Sequence, residues 1–388
     1  MIDVTLDVKG NGGLLKVVWR SPAADVASYQ IDFNRLMNRS AEVRDRLHNL
    51  ITTAMKNRSD HQSLRLGLEL KELARAGRKL RDAIFFAEAG YNDEEGFEAE
   101  EWLVSLTEVV IHVTIDRQIY IPWGLVYDGD PEILSDEAED ISIAKFSGFW
   151  CLKYRLSTLY NRIRGGIVRN PRTTGEARIV KLVNEGAWAK AFNQVSEAEQ
   201  KLVAAMFREN DISSSKDFEK IWKTQKKCLE TDLLYFFGHA DGTALAFRKG
   251  DLLTMDDFPE ILRRKPPADR PACMVFLNGC HTAIGNDKEG GFLQATAYGG
   301  FCGFVGTESE VPDVFALRFA NAFLSQLLYT GSKAIEVMDK IRRDYWPLSL
   351  AYNLSCHPDF QFNPHGVIPP DMLPTPDFSK DAIGSEKV

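Results

Sequence analysis

The sequence predicts an α/β protein whose second half forms a mainly parallel sheet covered by helices on both faces. Three observations lead there. The runs Leu233 to Phe237 and Ala272 to Leu277 are wholly apolar, as strands buried on both faces of a sheet must be. Helical and strand-like segments alternate regularly from Arg178 onward. The first half instead mixes long helical spacing with short alternating segments.

In chain order, Val4, Leu6 and Val8, then Leu14 to Trp19, alternate and read as an edge hairpin turning at Gly10 to Gly13. From Ala27 to Ala89 the spacing becomes helical. Leu36, Val43, Leu47, Leu50 and Ile51 suit one helix, and Leu64, Leu68, Leu73, Leu80 and Ile84 a second. Two strands are expected at Glu108 to Ile115 and Gln118 to Val126, turning at Asp116 and Arg117, followed by a solvated acidic loop from Asp128 to Asp140.

Residues 161–176, NRIRGGIVRNPRTTGE, repeat at neither helix nor strand period and read as a linker between domains of residues 1–160 and 177–365. Beyond it come a strand at Arg178 to Val183 and a helix at Ser196 to Arg208, with Ser196 and Glu199 as its capping box. A helix at Phe218 to Cys228, the Leu233 to Phe237 strand, and a helix at Met255 to Arg263 follow. The strands Ala272 to Leu277 and Phe301 to Val305, helices at Pro312 to Tyr329 and Ser332 to Tyr345, and a strand at Leu348 to Leu354 complete the domain. Residues 366–388 hold prolines and few large apolar side chains and are expected to be unstructured.

The 388 residues suggest two domains at roughly 150 residues each. With 47 basic and 55 acidic residues the net charge is −8, which offers nucleic acid no general basic field. No run reaches the length needed to span a bilayer, and the amino terminus lacks the basic start and apolar run of a signal peptide. Six scattered cysteines do not form a disulfide scaffold. The expectation is a soluble cytoplasmic protein with reduced thiols, no cofactor, and no membrane or direct nucleic-acid partner.

Chemistry in open α/β sheets collects beyond the carboxyl ends of strands. LLYFFGHADG delivers Gly238, His239, Ala240, Asp241 and Gly242 there, and MVFLNGCHTA delivers Asn278, Gly279, Cys280, His281 and Thr282. On neighbouring strands, His239 and Cys280 would emerge about one strand spacing apart. Such a pair can act as base and nucleophile, with the glycines permitting close backbone approach. His281 is secondary, and a zinc site from Cys280, His281, Cys356 and His357 lacks the short paired spacings of zinc modules, so no metal is expected. GNGG at Gly10 to Gly13 lacks the lysine of a P-loop.

These two segments together resemble the caspase-like cysteine peptidases, within them the CHAT domain peptidases related to separase. Tyr120 to Asp128 (YIPWGLVYD) looks like that family's "lPWElLyD" segment, Ala244 to Phe247 with Gly250 to Thr254 look like its hairpin, and GFVGTESEVPD looks like its "GT…vpD" loop. The resemblance implies a three-layer α/β/α caspase-like sandwich preceded by a degenerate companion domain. It implies His239 as general base, Cys280 as nucleophile, and the amides of Ala240 and Cys280 as an oxyanion hole. Ala240 departs from the glycine common after the family's histidine, and Asn278 from the aspartate of arginine-cleaving relatives in the wider clan. Glu308, Glu310 and Asp313, with Asn278, are candidates for an S1 pocket favouring a basic P1 residue, although Asp313 also suits a helix cap. The implied function is regulated cleavage of a protein partner, of the kind used in bacterial antiphage defence, released by an activating partner or sensor. A low resting activity is expected, with Asp287 to Gly291 as a mobile loop beside the nucleophile. The alternative is a catalytically silent adaptor on the same fold.

Overall fold

The structure is a computed structural model that describes residues 2–11, 13–56, 62–86, 93–115, 119–134, 141–160, 177–207, 211–223, 231–258, 261, 273–284, 291–298 and 301–364. The proposed linker, the tail and residues 287–290 of the expected loop lie outside them. The chain divides into one unit of residues 1–162 with 346–350, and a second of residues 163–345 with 351–388.

In the first unit, β1 (Ile2–Asn11), β2 (Leu14–Arg20) and β3 (Asp25–Asp32) form an antiparallel meander. Helices α1 (Phe33–Lys56), α2 (Gln62–Phe85) and α3 (Asp93–Ser105) follow, then β4 (Val109–Ile115), the short α4 (Trp150–Lys153) and β5 (Arg155–Tyr160). The sheet order is β3-β2-β1-β4-β5, with β1, β4 and β5 parallel. The expected edge hairpin therefore has β1 at the centre of the sheet, where Leu6 and Val8 are fully buried. The first helix starts later than its spacing suggested, because Ala27, Tyr29 and Ile31 alternate inward from β3. Leu36, Val43, Leu47, Leu50, Leu73, Leu80 and Ile84 are core residues, whereas Leu68 is exposed.

Two further expectations fail in this unit. Among the described residues, 119–126 are not a strand: 119–122 run buried without a ladder and end in a 3₁₀ turn at Trp123–Leu125, β4 takes β5 as its partner, and the expected turn at Asp116 and Arg117 lies outside the described residues. Apolar content alone cannot separate a buried strand from a buried irregular segment. Nor is Asp128 solvated. Its carboxylate is buried and accepts from Trp150 Nε1 at 2.7 Å, Lys153 Nζ at 2.6 Å, the Tyr154 hydroxyl at 2.7 Å and Arg81 Nε at 3.2 Å. Trp19 stacks on Phe85 with centroids 5.3 Å apart, and Trp150 meets both edge-on, closing the core around that carboxylate.

The second unit carries β6 (Ile179–Val183), α5 (Glu185–Phe192), α6 (Glu197–Met206), α7 (Ser215–Lys223) and β7 (Leu233–Phe237). A small sheet follows from β8 (His239–Ala240), β9 (Ala244–Arg248) and β10 (Asp251–Thr254). Then come β11 (Met274–Asn278), α8 (Phe292–Tyr298), β12 (Gly303–Thr307), α9 (Asp313–Thr330), α10 (Ala334–Asp344) and β13 (Tyr352–Cys356). The main sheet has the order β13-β12-β11-β7-β6 and is parallel except for β13. Every residue of β6, β7, β11 and β12 is buried, as the uninterrupted apolar runs required. On one face Phe237 packs edge-on to Trp188 of α5, and Phe276 to Phe323 of α9; on the other Phe236 packs against Phe247 of the small sheet. The Ser196–Glu199 capping box opens α6 as expected.

The last strand is antiparallel and begins at Tyr352, after a 3₁₀ turn at Leu348–Ala351. This direction puts Cys356 and His357 at the opposite end of the sheet from Cys280. Cys356 is paired with Gly303, at the amino end of β12, and is buried there with Cys273 and Cys302. Among the described residues no group of histidine, cysteine and carboxylate side chains could hold a metal ion, and no helix is long and apolar enough to cross a membrane.

Candidate active site

Residues 233–237 of β7 pair in register with residues 274–278 of β11, so Phe237 stands beside Asn278. His239 and Cys280 each follow by two residues. They leave the sheet at the same level, on adjacent strands whose spacing is about 4.8 Å. The pairing extends one step further, with the Gly238 amide donating to the Asn278 carbonyl at 3.3 Å.

Small residues let the two strand ends come together. A Cβ on Gly279 would stand 2.9 Å from the Gly238 carbonyl and 3.0 Å from the Ala240 Cβ, so the segments bearing the two candidate oxyanion amides, Ala240 and Cys280, touch there. A Cβ on Gly238 would stand 2.6 Å from that of Asn184. Gly242, with φ of 83°, passes close to His281 in a conformation that only glycine adopts without strain.

His239 leaves the main sheet to pair with Ala246 in the small one, and its side chain is exposed. Asn184 anchors this turn from the end of β6. Its Nδ2 donates to the Ala246 carbonyl at 3.1 Å, while its Oδ1 caps α5 by accepting from the Ala187 amide. Asp241 is occupied with its own turn, accepting from the Thr243 amide and hydroxyl and from the Ala244 amide.

Cys280 is half-buried on the turn after β11. Burial pushes its thiol up, the Glu310 and Asp313 carboxylates add to that, and a hydrogen bond from the Val311 amide opposes it. The sulfur therefore faces the loop between β12 and α9, where two of the candidate S1 carboxylates lie. Asp313 is also the first residue of α9, and its side chain does not cap it; Pro312 holds the N-cap position. His281 has a φ of 59°, so the strand does not continue through it, and its Nε2 lies 4.0 Å from Glu310 Oε1.

The other two candidate S1 residues are engaged elsewhere. Asn278 is buried, donating to the Ala316 carbonyl at 2.8 Å and the Tyr235 hydroxyl at 3.3 Å, and accepting from the Tyr352 hydroxyl. Glu308 is buried and accepts from Asn353 Nδ2 at 2.7 Å. Both side chains are thus engaged inside the second unit. Sequence reasoning missed Asn184, Tyr352 and Thr307 as supports of the site. Only Asn184, an asparagine between a buried strand and a helix, carried a local signal, that of an N-cap.

The CHAT domain family matches residues 104–348, well over half of the chain. This chain belongs to the CHAT domain family. Among solved structures it is similar to separase of Saccharomyces cerevisiae in complex with securin, a crystal structure at 2.6 Å, with a TM-score of 0.53 and 10% identity over 93% of this chain. A second structure of that complex, at 3.0 Å, matches with a TM-score of 0.49, 10% identity and 91% of this chain. In each case this CHAT protein spans 30% of the chain it matches. No curated protein matches its sequence. The second unit is thus an α/β sandwich around a mainly parallel sheet, and the chain shares its fold with that part of separase, as the sequence motifs suggested.

Proposed function

We propose that the protein is a cysteine endopeptidase in which Cys280 is the nucleophile and His239 the general base. The observation that carries this is the register of β7 and β11, which brings both residues to one level of one sheet edge. The imidazole takes the thiol proton, the sulfur attacks the scissile carbonyl, and the amides of Ala240 and Cys280 receive the oxyanion. The imidazolium then protonates the departing amine, and water hydrolyses the thioester. A thiol raised by burial needs such a base.

Glu310 and Asp313 beside the sulfur favour a basic P1 residue. The substrate is a partner protein, and cleavage is released by an activating partner or sensor in the cytoplasm. The family resemblance supports bacterial antiphage defence as the setting, with residues 1–160 as a companion domain to the catalytic residues 177–365.

One observation favours the adaptor reading: among the described residues, the groups that hydrogen-bond the sulfur are the backbone amides of Val311 and of Cys280 itself, and not His239. Catalytic hydrogen bonds often tighten only when substrate is bound, so both readings go to experiment. Candidate partner proteins are incubated with the wild type, Cys280→Ala and His239→Ala, and new termini are mapped by mass spectrometry. Cuts made by the wild type and lost in both variants are expected. Undiminished cleavage by Cys280→Ala removes the peptidase, and failure of an electrophilic basic-P1 probe to label Cys280, even with partner present, establishes the adaptor.

A further inference from the structure

The turn that carries Cys280 is bound to β12 by two buried hydroxyls. Thr282 Oγ1 lies 2.8 Å from the Leu277 carbonyl and 3.1 Å from that of Gly279, and it accepts from the Thr307 amide at 3.0 Å. The Thr307 hydroxyl donates back to the Gly279 carbonyl at 2.6 Å. The Ala283 amide donates to the Thr307 carbonyl at 2.9 Å. Both threonines are fully buried. Gly306 makes the approach possible, since a Cβ there would stand 2.9 Å from Thr282 Oγ1.

These bonds bracket Cys280 in the chain, ending on Leu277 and Gly279 before it and on Thr282 and Ala283 after it. Gly279 precedes the sulfur's residue, Thr282 and Ala283 follow it, and Thr307 leads directly into the loop that holds Glu310, Val311 and Asp313. By contrast, His239 is carried by a different sheet. The hydroxyls thus join the nucleophile's turn and the acidic loop into one unit, against which the His239 segment packs at Gly279.

We infer that Thr282 and Thr307 are positioning residues that clamp the Cys280 turn to β12 and so fix the sulfur relative to the loop it faces. This rests on the peptidase reading for its kinetic consequence but not for its structural one. Misplacing a reacting atom by about 1 Å can cost about 100-fold in rate. Removing a hydroxyl while keeping the side-chain shape should therefore lower kcat and leave KM, which other contacts determine, nearly unchanged.

The test compares Thr282→Val and Thr307→Val with Thr282→Ser and Thr307→Ser in the full chain. Two readouts are taken: kcat and KM on a basic-P1 peptide, and the rate of Cys280 alkylation by iodoacetamide against pH, followed by mass spectrometry of the modified peptide. The valine variants should lose about 10- to 100-fold in kcat with KM within about twofold of wild type. A loosened turn lets water reach the sulfur, so the midpoint of alkylation should fall toward that of an exposed thiol. The serine variants should restore both. Where a valine variant does not fold, the alanine variant at that position gives the same expected directions. Valine variants with wild-type kcat and alkylation profile overturn the clamp, as do serine variants impaired as severely as valine. If the wild type cleaves nothing even with candidate partner proteins present, the peptidase reading fails while the alkylation comparison still decides the clamp.

Discussion

The Tyr352 hydroxyl donates to Asn278 Oδ1 across 2.7 Å, inside the sheet and two residues before Cys280. It ties the antiparallel last strand to the strand that delivers the candidate nucleophile. Tyr352→Phe leaves a buried amide oxygen short of a donor, which costs about 1–3 kcal/mol. Urea unfolding of the variant should show that loss. Asn278→Asp should be worse at neutral pH, because an ionised carboxylate would meet the Ala316 carbonyl where the amide now donates. Acid should narrow the deficit, since a protonated carboxyl can donate again.

Asp128 tests the first unit. Burial pushes its carboxyl up, but the Lys153 charge and the Lys153, Trp150 and Tyr154 donors outweigh this and hold it below the usual carboxylate value. A depressed carboxylate contributes stability that is present above its unfolded value, about pH 3.9, and is lost as pH falls through the folded one. Asp128→Asn removes the charge that Lys153 and Arg81 face, and since Arg81 keeps Glu100 the loss should be about 1–3 kcal/mol at pH 7. Urea titrations should show the gap between wild type and variant closing only below about pH 4. A gap constant down to pH 3 refutes this account.

The parallel core and its two chemical strand ends were legible because burial on both faces writes continuous apolar runs, and glycine marks where they stop. The capping box of α6 was legible for the same local reason. Strand direction has no such signature. Nothing local therefore tells which end of the sheet receives the Cys356–His357 dipeptide. β3 was hidden within an apparently helical stretch because only Ala27, Tyr29 and Ile31 carry its alternation. Asp128 opens an acidic run, and nothing local announces that Trp150, Lys153 and Tyr154 will fold back upon it. Asn278 and Glu308 were offered as pocket residues for their chemistry, while their partners Tyr352 and Asn353 lie more than forty positions downstream.

Gly279 measures how closely the two strand ends must approach. Its α-hydrogen faces the Gly238 carbonyl and Ala240, and a methyl group there meets backbone that cannot yield by rotation. Gly279→Ala should cost about 1–3 kcal/mol through overpacking. It should also separate the His239 segment from Cys280, lowering kcat/KM by more than the stability loss explains. Comparing residual activity well below the melting point with the shift in Tm distinguishes these effects. Full activity in a folded Gly279→Ala protein would contradict a shared site.

Charge around the sulfur yields a prediction with two opposite signs. Burial is the largest influence raising the Cys280 thiol, and Glu310 and Asp313 raise it further. The alkylation midpoint of the wild type should therefore lie above about 8.5, the value of an exposed thiol. Glu310→Gln removes one repelling charge, so the midpoint should fall and alkylation near neutrality should quicken. The shift should be small, because the Glu310 side chain is 58% exposed and water screens it. Cleavage of a basic-P1 peptide should move the other way, losing about tenfold in kcat/KM, while a neutral-P1 peptide gains slightly. Asp313→Asn should behave alike, with a further stability loss of about 0.3–1 kcal/mol because it opens α9. A faster thiol joined to unchanged discrimination between the two peptides would leave the carboxylates as local electrostatics and move the S1 pocket elsewhere.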